Sequence, residues 1–156
     1  MRKLSTSQDP LEQLIITDGM PVGEEKEEKV LGGTCLEYNP DAGATRYLCG
    51  TEQGITIIAN KRPPRPVEVN SRFGTEEGRH HGPIYSIQRN PKELKFFLTV
   101  GDWSAKIWME DIKTPVMTTK YHDSYLTSGC WSPTRPGVFF VVGMSGWLHV
   151  WDYHYR

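Results

Sequence analysis

Apolar and polar positions change rhythm along this chain in a way that repeats. Short alternating stretches, such as Ile84–Ser86 and Leu126–Ser128–Cys130, lead into an Asn-Pro or Ser-Pro step. Alternation over a few residues is the period of a half-buried strand, and proline ends strand pairing because its φ is fixed and it has no N–H to donate. A denser apolar run follows each time, at Arg46–Gly50, Lys95–Val100 and Val138–Val142. Phe139, Phe140, Val141 and Val142 in succession suit a strand covered on both faces. Glycine then permits a tight turn, and a third strand is predicted over Ile55–Ala59, Ala105–Trp108 and Trp147–Trp151.

These units share a register. Pro40, Pro91 and Pro133 are separated by 51 and 42 residues, and Gly50, Gly101 and Gly143 by the same intervals. Self-similarity at a period near 40–45 residues is a signature of a β-propeller, with one four-stranded blade per repeat. The predicted fold class is therefore all-β. It is a partial propeller of about three four-stranded blades, at about 30–70, 80–120 and 122–156, whose ring is not closed within the chain. A closed ring takes roughly 4–8 blades, and an open stack exposes two apolar blade faces and unpaired edges. The expectation is a slice of a longer ring. Residues 1–29 form a separate N-terminal segment. There Leu11, Leu14, Ile15 and Ile16 suggest one short strand or a helical turn, and Gly23–Lys29 a solvated charged linker.

Composition narrows the function classes. The chain has 156 residues, enough for a real core, with 37% hydrophobic residues and a formal net charge of -1. That balance gives no electrostatic reason to expect nucleic acid or an anionic membrane as partner. Cys35, Cys49 and Cys130 form no C-x-x-C pair and read as buried free thiols in a reducing compartment. The longest purely apolar run, Val138–Val142, is far short of a membrane span, and residues 1–20 lack the apolar centre of a signal peptide. A cytosolic or cytoskeletal location is expected.

The repeats also carry family features. The third ends Val150-Trp151-Asp152, the second has the looser Ile107-Trp108-Met109-Glu110, and the first has Ile57-Ile58-Ala59-Asn60 without tryptophan. His80 precedes Ile84 by four residues, as His122 precedes Leu126. This pattern resembles the WD repeat. The resemblance implies a buried hydrogen-bond chain of histidine, strand hydroxyl, turn aspartate and tryptophan, which in the second blade falls on His80, Thr99, Asp102 and Trp108. The third blade offers His122 and Trp151 but has valine and methionine in the other two places.

Longer strings narrow the resemblance. Gly50–Ile55 (GTEQGI), His80–Tyr85 (HHGPIY), Phe97–Trp108 (FLTVGDWSAKIW) and Tyr125–Phe140 (YLTSGCWSPTRPGVFF) resemble the WD repeats of dynein intermediate chains, above all those of the axonemal outer arm. The resemblance runs from about Leu31 to Arg156. It implies a non-catalytic subunit without a cofactor, which pairs with a second intermediate chain, clamps the dynein heavy chain and carries light chains. Microtubule association would come through the complex, in the cilium axoneme. The other reading is a general WD-repeat adaptor, which would need a self-sufficient ring with a basic or aromatic pocket.

Gly143-Met144-Ser145-Gly146-Trp147 does not meet G-x-S-x-G and lies between two strands, whereas a nucleophile elbow needs a strand-to-helix turn. His80 and His81 are adjacent, so their side chains diverge, and no thiol or carboxylate stands at ligand spacing. Lys61–Pro66 contains a P-x-x-P and reads as a stiff surface loop, and Arg2-Lys3-Leu4-Ser5 as a weak kinase match. Trp103 and Trp147 fall at the turn between second and third strands. Each either covers the neighbouring blade or contacts a partner, since exposed tryptophan is enriched at binding hot spots.

Overall fold

Each apolar run becomes a strand, and each repeat becomes one antiparallel sheet. The computed structural model describes residues 14–22, 27–62 and 66–154. The first sheet runs in chain order through β3 (Gly33–Glu37), β4 (Arg46–Thr51), β5 (Thr56–Asn60) and β6 (Glu68–Phe73), after a hairpin of β1 (Thr17–Val22) and β2 (Glu27–Val30). The second holds β7 (Ile84–Arg89), β8 (Phe96–Gly101), β9 (Ser104–Met109) and β10 (Met117–Thr118). The third holds β11 (Leu126–Trp131), β12 (Val138–Gly143) and β13 (Leu148–Asp152). The first strands lie together, since β7 touches both β3 and β4 and β11 touches both β7 and β8. The sheets therefore stack face to face about their first strands, as blades of an open propeller.

Two sandwiched cores hold the stack. Leu48, Ile58 and Phe73 of the first blade pack on Ile87, Phe97 and Trp108 of the second. Leu98, Val100, Ala105 and Ile107, on the second blade's other face, pack on Leu126, Trp131, Phe139 and Val141. Polar bonds cross between blades as well. Ser86 Oγ donates to the Gly129 carbonyl at 3.0 Å, and Trp131 N donates to Gln88 Oε1 at 2.7 Å. All three inner strands carry a register shift near the start, between Gly33 and Cys35, Ile84 and Ser86, and Leu126 and Ser128. Such bulges bend and twist a strand, and here they recur at the same place in every blade.

The strand pairing corrects one element of the repeat register. Ile84 faces Gly101 and Leu126 faces Gly143, but Gly33 faces Thr51 rather than Gly50. The cause is one extra residue in the turn before β4, where Pro40–Ala42 forms a 3-10 turn with the Asn39 side chain capping Asp41 N. Gly50 therefore occupies the place of Val100 and Val142. Its need for glycine is different: a Cβ there would lie 2.6 Å from Cys35 Sγ and 2.9 Å from Ile84 Cβ, so it admits the second blade's first strand. Gly129, on the first strand of the third blade, makes room for the second blade's β8, since a Cβ there would meet Val100 Cγ2 at 2.6 Å.

The two outer faces differ. On the first blade, Cys49, Ile55, Ile57 and Ala59 are covered by Leu31 and by Leu14 and Ile16, which flank the β1–β2 hairpin. The charged run expected as a linker is thus strand over Glu27–Val30, paired with β1. Residues 23–26, like Leu11, Arg2–Ser5 and Pro63–Arg65, lie outside the described residues. On the third blade, Val150 and Leu148 are 62% and 58% exposed, whereas Ile107 and Ala105, at the same places in the second blade, are each 1% exposed.

Candidate functional site

The sharp turn from β8 to β9 organises the second blade's polar interior. Asp102 takes φ of 45° there, a left-handed conformation that a short hydrogen-bonding side chain tolerates. Its carboxylate accepts from Ser104 N, Ser104 Oγ and His81 N, each at 2.8 Å, and from His80 Nδ1 at 3.3 Å. A carboxylate only accepts, so His80 carries its proton on Nδ1 and presents Nε2 as an acceptor. Thr99 Oγ1, 2.7 Å from Nε2, donates its proton there and accepts from Trp108 Nε1 at 2.8 Å. Every link of Asp102–His80–Thr99–Trp108 is satisfied, and all four residues are buried.

Electrostatics fix the protonation states. Burial pushes the His80 pKa below its ordinary value, and the hydrogen bond and charge of Asp102 oppose this without overcoming it. For Asp102, burial alone would raise the pKa. The bond to His80, the His81 amide, the His80 charge and the Ser104 bond outweigh it and hold the carboxyl below its usual range. An acid, a base and a hydroxyl in line resemble a nucleophilic triad. With Thr99 fully buried and its oxygen already shared by His80 and Trp108, no substrate reaches it. The chain of bonds ties the β8–β9 turn to the segment before β7.

The third blade builds a shorter version. Val141 stands where Thr99 does, facing Gly129 as Thr99 faces Ile87, and Trp151 Nε1 donates straight to His122 Nε2 at 3.3 Å. His122 Nδ1 turns to the Trp103 carbonyl at 3.0 Å instead of a carboxylate. Met144, in the aspartate's place, is 76% exposed. The two tryptophans of the turns separate clearly. Trp103 lies 4.4 Å from the Tyr125 ring and meets Tyr121 edge-on at 6.4 Å, so it covers the approach to the third blade. Trp147 is 71% exposed beside the open Leu148–Val150 face.

Residues 33–155, which contain all three blades, match the family model of the dynein axonemal intermediate chain 3 WD40 domain. The chain belongs to the dynein axonemal intermediate chain family. It is 48% identical over 141 residues to the 70 kDa intermediate chain of the flagellar outer arm dynein of Chlamydomonas reinhardtii, covering 89% of this chain and 24% of that protein. It is 48% identical over 157 residues to the ciliary dynein intermediate chain 3 of Heliocidaris crassispina, covering 100% and 25%. Human dynein axonemal intermediate chain 2 is 46% identical over 134 residues, covering 85% of this chain and 22% of that protein. The chain thus spans about a quarter of the length of these relatives.

Within this intermediate-chain segment, sequence reasoning missed one site. Glu110, at the end of β9, binds Arg46 Nη2 at 3.1 Å through one oxygen and Arg89 Nη1 through the other. Arg89 also donates to the Leu94 carbonyl at 2.7 Å and is nearly fully buried, so the trio clamps first and second blades together at the ends of their strands. The partners sit on β4, β7 and just beyond β9, far apart in the chain. The only local signal was a charged residue at an inward position of β7. Ser145 lies in the β12–β13 turn, where its amide donates to Ser124 Oγ at 3.2 Å. Among the described residues, no group of three or more His, Cys, Asp or Glu is placed to hold a metal ion.

Proposed function

We propose that this chain is a segment of a non-catalytic intermediate-chain subunit of axonemal dynein, a scaffold that binds other subunits for ciliary motility. The observation that carries this reading is 46–48% identity running through the blades to outer-arm, ciliary and axonemal intermediate chains. Surface features support it. Leu148 and Val150 stand exposed on one blade face, with Trp147 exposed beside them, where the interior of the stack buries Ala105 and Ile107, so that face takes a further blade or a partner. The partners under this reading are the dynein heavy chain, a second intermediate chain and light chains, with microtubules reached through the complex in the cilium axoneme. The buried relay serves the scaffold by fixing the turns that present Trp103 and its neighbours, and no bond-making step is assigned to it.

A tagged pull-down from ciliated cells tests the reading, comparing this chain with a full-length protein carrying the same repeats. Recovery of heavy chain and a second intermediate chain by the full-length form is expected. Recovery by this chain as well would place the contact surface on these blades. If neither recovers dynein subunits while both are soluble, the general WD-repeat adaptor takes the place of the motor subunit.

A further inference from the structure

Lys106 stands on β9 opposite Thr99. It is 7% exposed. Its Nζ donates one hydrogen bond, to Thr118 Oγ1 at 3.3 Å, and among the described residues it has no ion-pair partner. An ammonium carries three donors, and a buried charge is normally paired because leaving it unpaired is costly. The side chain lines a cleft of about 530 Å³ between the Gly74–Arg79 loop, which joins first and second blades, and Tyr121, which precedes the third. Clefts of this size hold ligands in other proteins.

Most of the rim's charge has the opposite sign. Glu76 and Glu77 line the same cleft, are exposed, and among the described residues have no ion-pair partner. Arg79 and His81 line it too, and both continue into a neighbouring recess with Glu52. Tyr121, edge-on to Trp103, forms an aromatic wall. Two carboxylates against the one Arg79 guanidinium leave the rim with a negative excess, which disfavours a small free anion. A polypeptide that brings an acidic side chain next to a basic one satisfies both.

We propose that this cleft takes one acidic side chain of a partner polypeptide, with its carboxylate on Lys106 at the floor and an adjacent basic residue on Glu76 and Glu77. The proposal stands on the cleft's own groups and is tested with synthetic probes, so it holds or falls apart from the motor-subunit reading.

The experiment is an NMR titration of the isotope-labelled chain with a blocked peptide carrying one aspartate followed by two lysines. Its asparagine counterpart and sodium acetate, at matched ionic strength, are the comparison probes. The aspartate peptide should shift the backbone amides of Gly78, Arg79 and Lys106, and the asparagine peptide should bind at least about tenfold more weakly, because a charge-assisted bond is lost. Lys106→Met should abolish the response. Should that variant fail to fold, the double variant Glu76→Gln with Glu77→Gln, at exposed positions, still decides: it should lose the preference for the lysine-bearing peptide and respond more to acetate. Equal binding of the two peptides, no shift at millimolar peptide, or an unchanged preference in the rim variant would each overturn the proposal. Acetate binding as tightly as the peptide would make this a small-carboxylate site and overturn the polypeptide assignment.

Discussion

Replacing Thr99 by valine tests whether the buried relay holds the second blade. Valine keeps nearly the same shape and removes only the oxygen that accepts from Trp108 Nε1 and donates to His80 Nε2. Each hydrogen bond contributes about 1 kcal/mol net, and a buried donor or acceptor left unpaired costs about 1–3 kcal/mol. If Trp108 and His80 stay in place, Thr99→Val should therefore lose about 2–4 kcal/mol, a large part of a typical stability of about 5–15 kcal/mol. The third blade shows the relaxed alternative. With Val141 there, the indole of Trp151 reaches the His122 ring directly at 3.3 Å. If the second blade closes up in this way, the loss falls to about 1–2 kcal/mol.

Thr99→Ser is the control, because it keeps both bonds and deletes one methyl, a loss of about 1 kcal/mol. Urea unfolding followed by tryptophan fluorescence and near-ultraviolet circular dichroism measures both variants. The valine variant should unfold at lower urea than the serine variant. A valine variant more stable than serine would show that the hydroxyl carries no stability and refute the reasoning, and equal midpoints would refute the case in which Trp108 and His80 stay in place. The converse change, Val141→Thr, should give no gain, since a bridging hydroxyl would have to break a bond already made.

Acid should weaken the fold in two stages. Burial, the largest effect, depresses the His80 pKa below 6.5, so the unfolded chain takes up a proton there that the folded chain refuses. Stability from this group is full above about pH 6.5 and falls as pH drops below it, and Asp102, also depressed, adds a further loss below its ordinary 3.8; urea midpoints that stay level from pH 7.5 down to about 5 would contradict this. Glu110→Ala leaves the buried Arg89 guanidinium without its carboxylate and should cost about 3–5 kcal/mol, while Arg46→Ala, at a side chain 35% exposed, should cost about 1 kcal/mol or less in the same assay. Trp103→Ala should destabilise by about 2–4 kcal/mol through loss of its packing on Tyr125 and Tyr121, whereas Trp147→Ala should leave stability within about 0.5 kcal/mol. A matching loss in both tryptophan variants, read by thermal unfolding, would mean that Trp147 is packed after all.

The chain by itself determined the first three strands of each blade, their order and the blade as a unit. Strand burial on both faces writes a dense apolar run, a turn writes proline or glycine, and both are local, so the runs at Arg46–Gly50, Lys95–Val100 and Val138–Val142 were legible residue by residue. The resemblance to the WD repeat implied the His80–Trp108 chain, whose bonds the structure places within one blade. Only the tertiary structure decided what depends on contacts between blades. It placed Thr51 rather than Gly50 opposite Gly33, since one extra residue in a turn shifts pairing without disturbing the apolar pattern. It folded Glu27–Val30 into a hairpin whose flanking residues Leu14, Ile16 and Leu31 cover the first blade, and it joined Arg46, Glu110 and Arg89 from three separate strands and turns. It also packed Trp103 and left Trp147 in solvent, although both occupy the same kind of turn. A side chain's surroundings on a blade face are supplied by the neighbouring sheet, and distance along the chain carries no record of that.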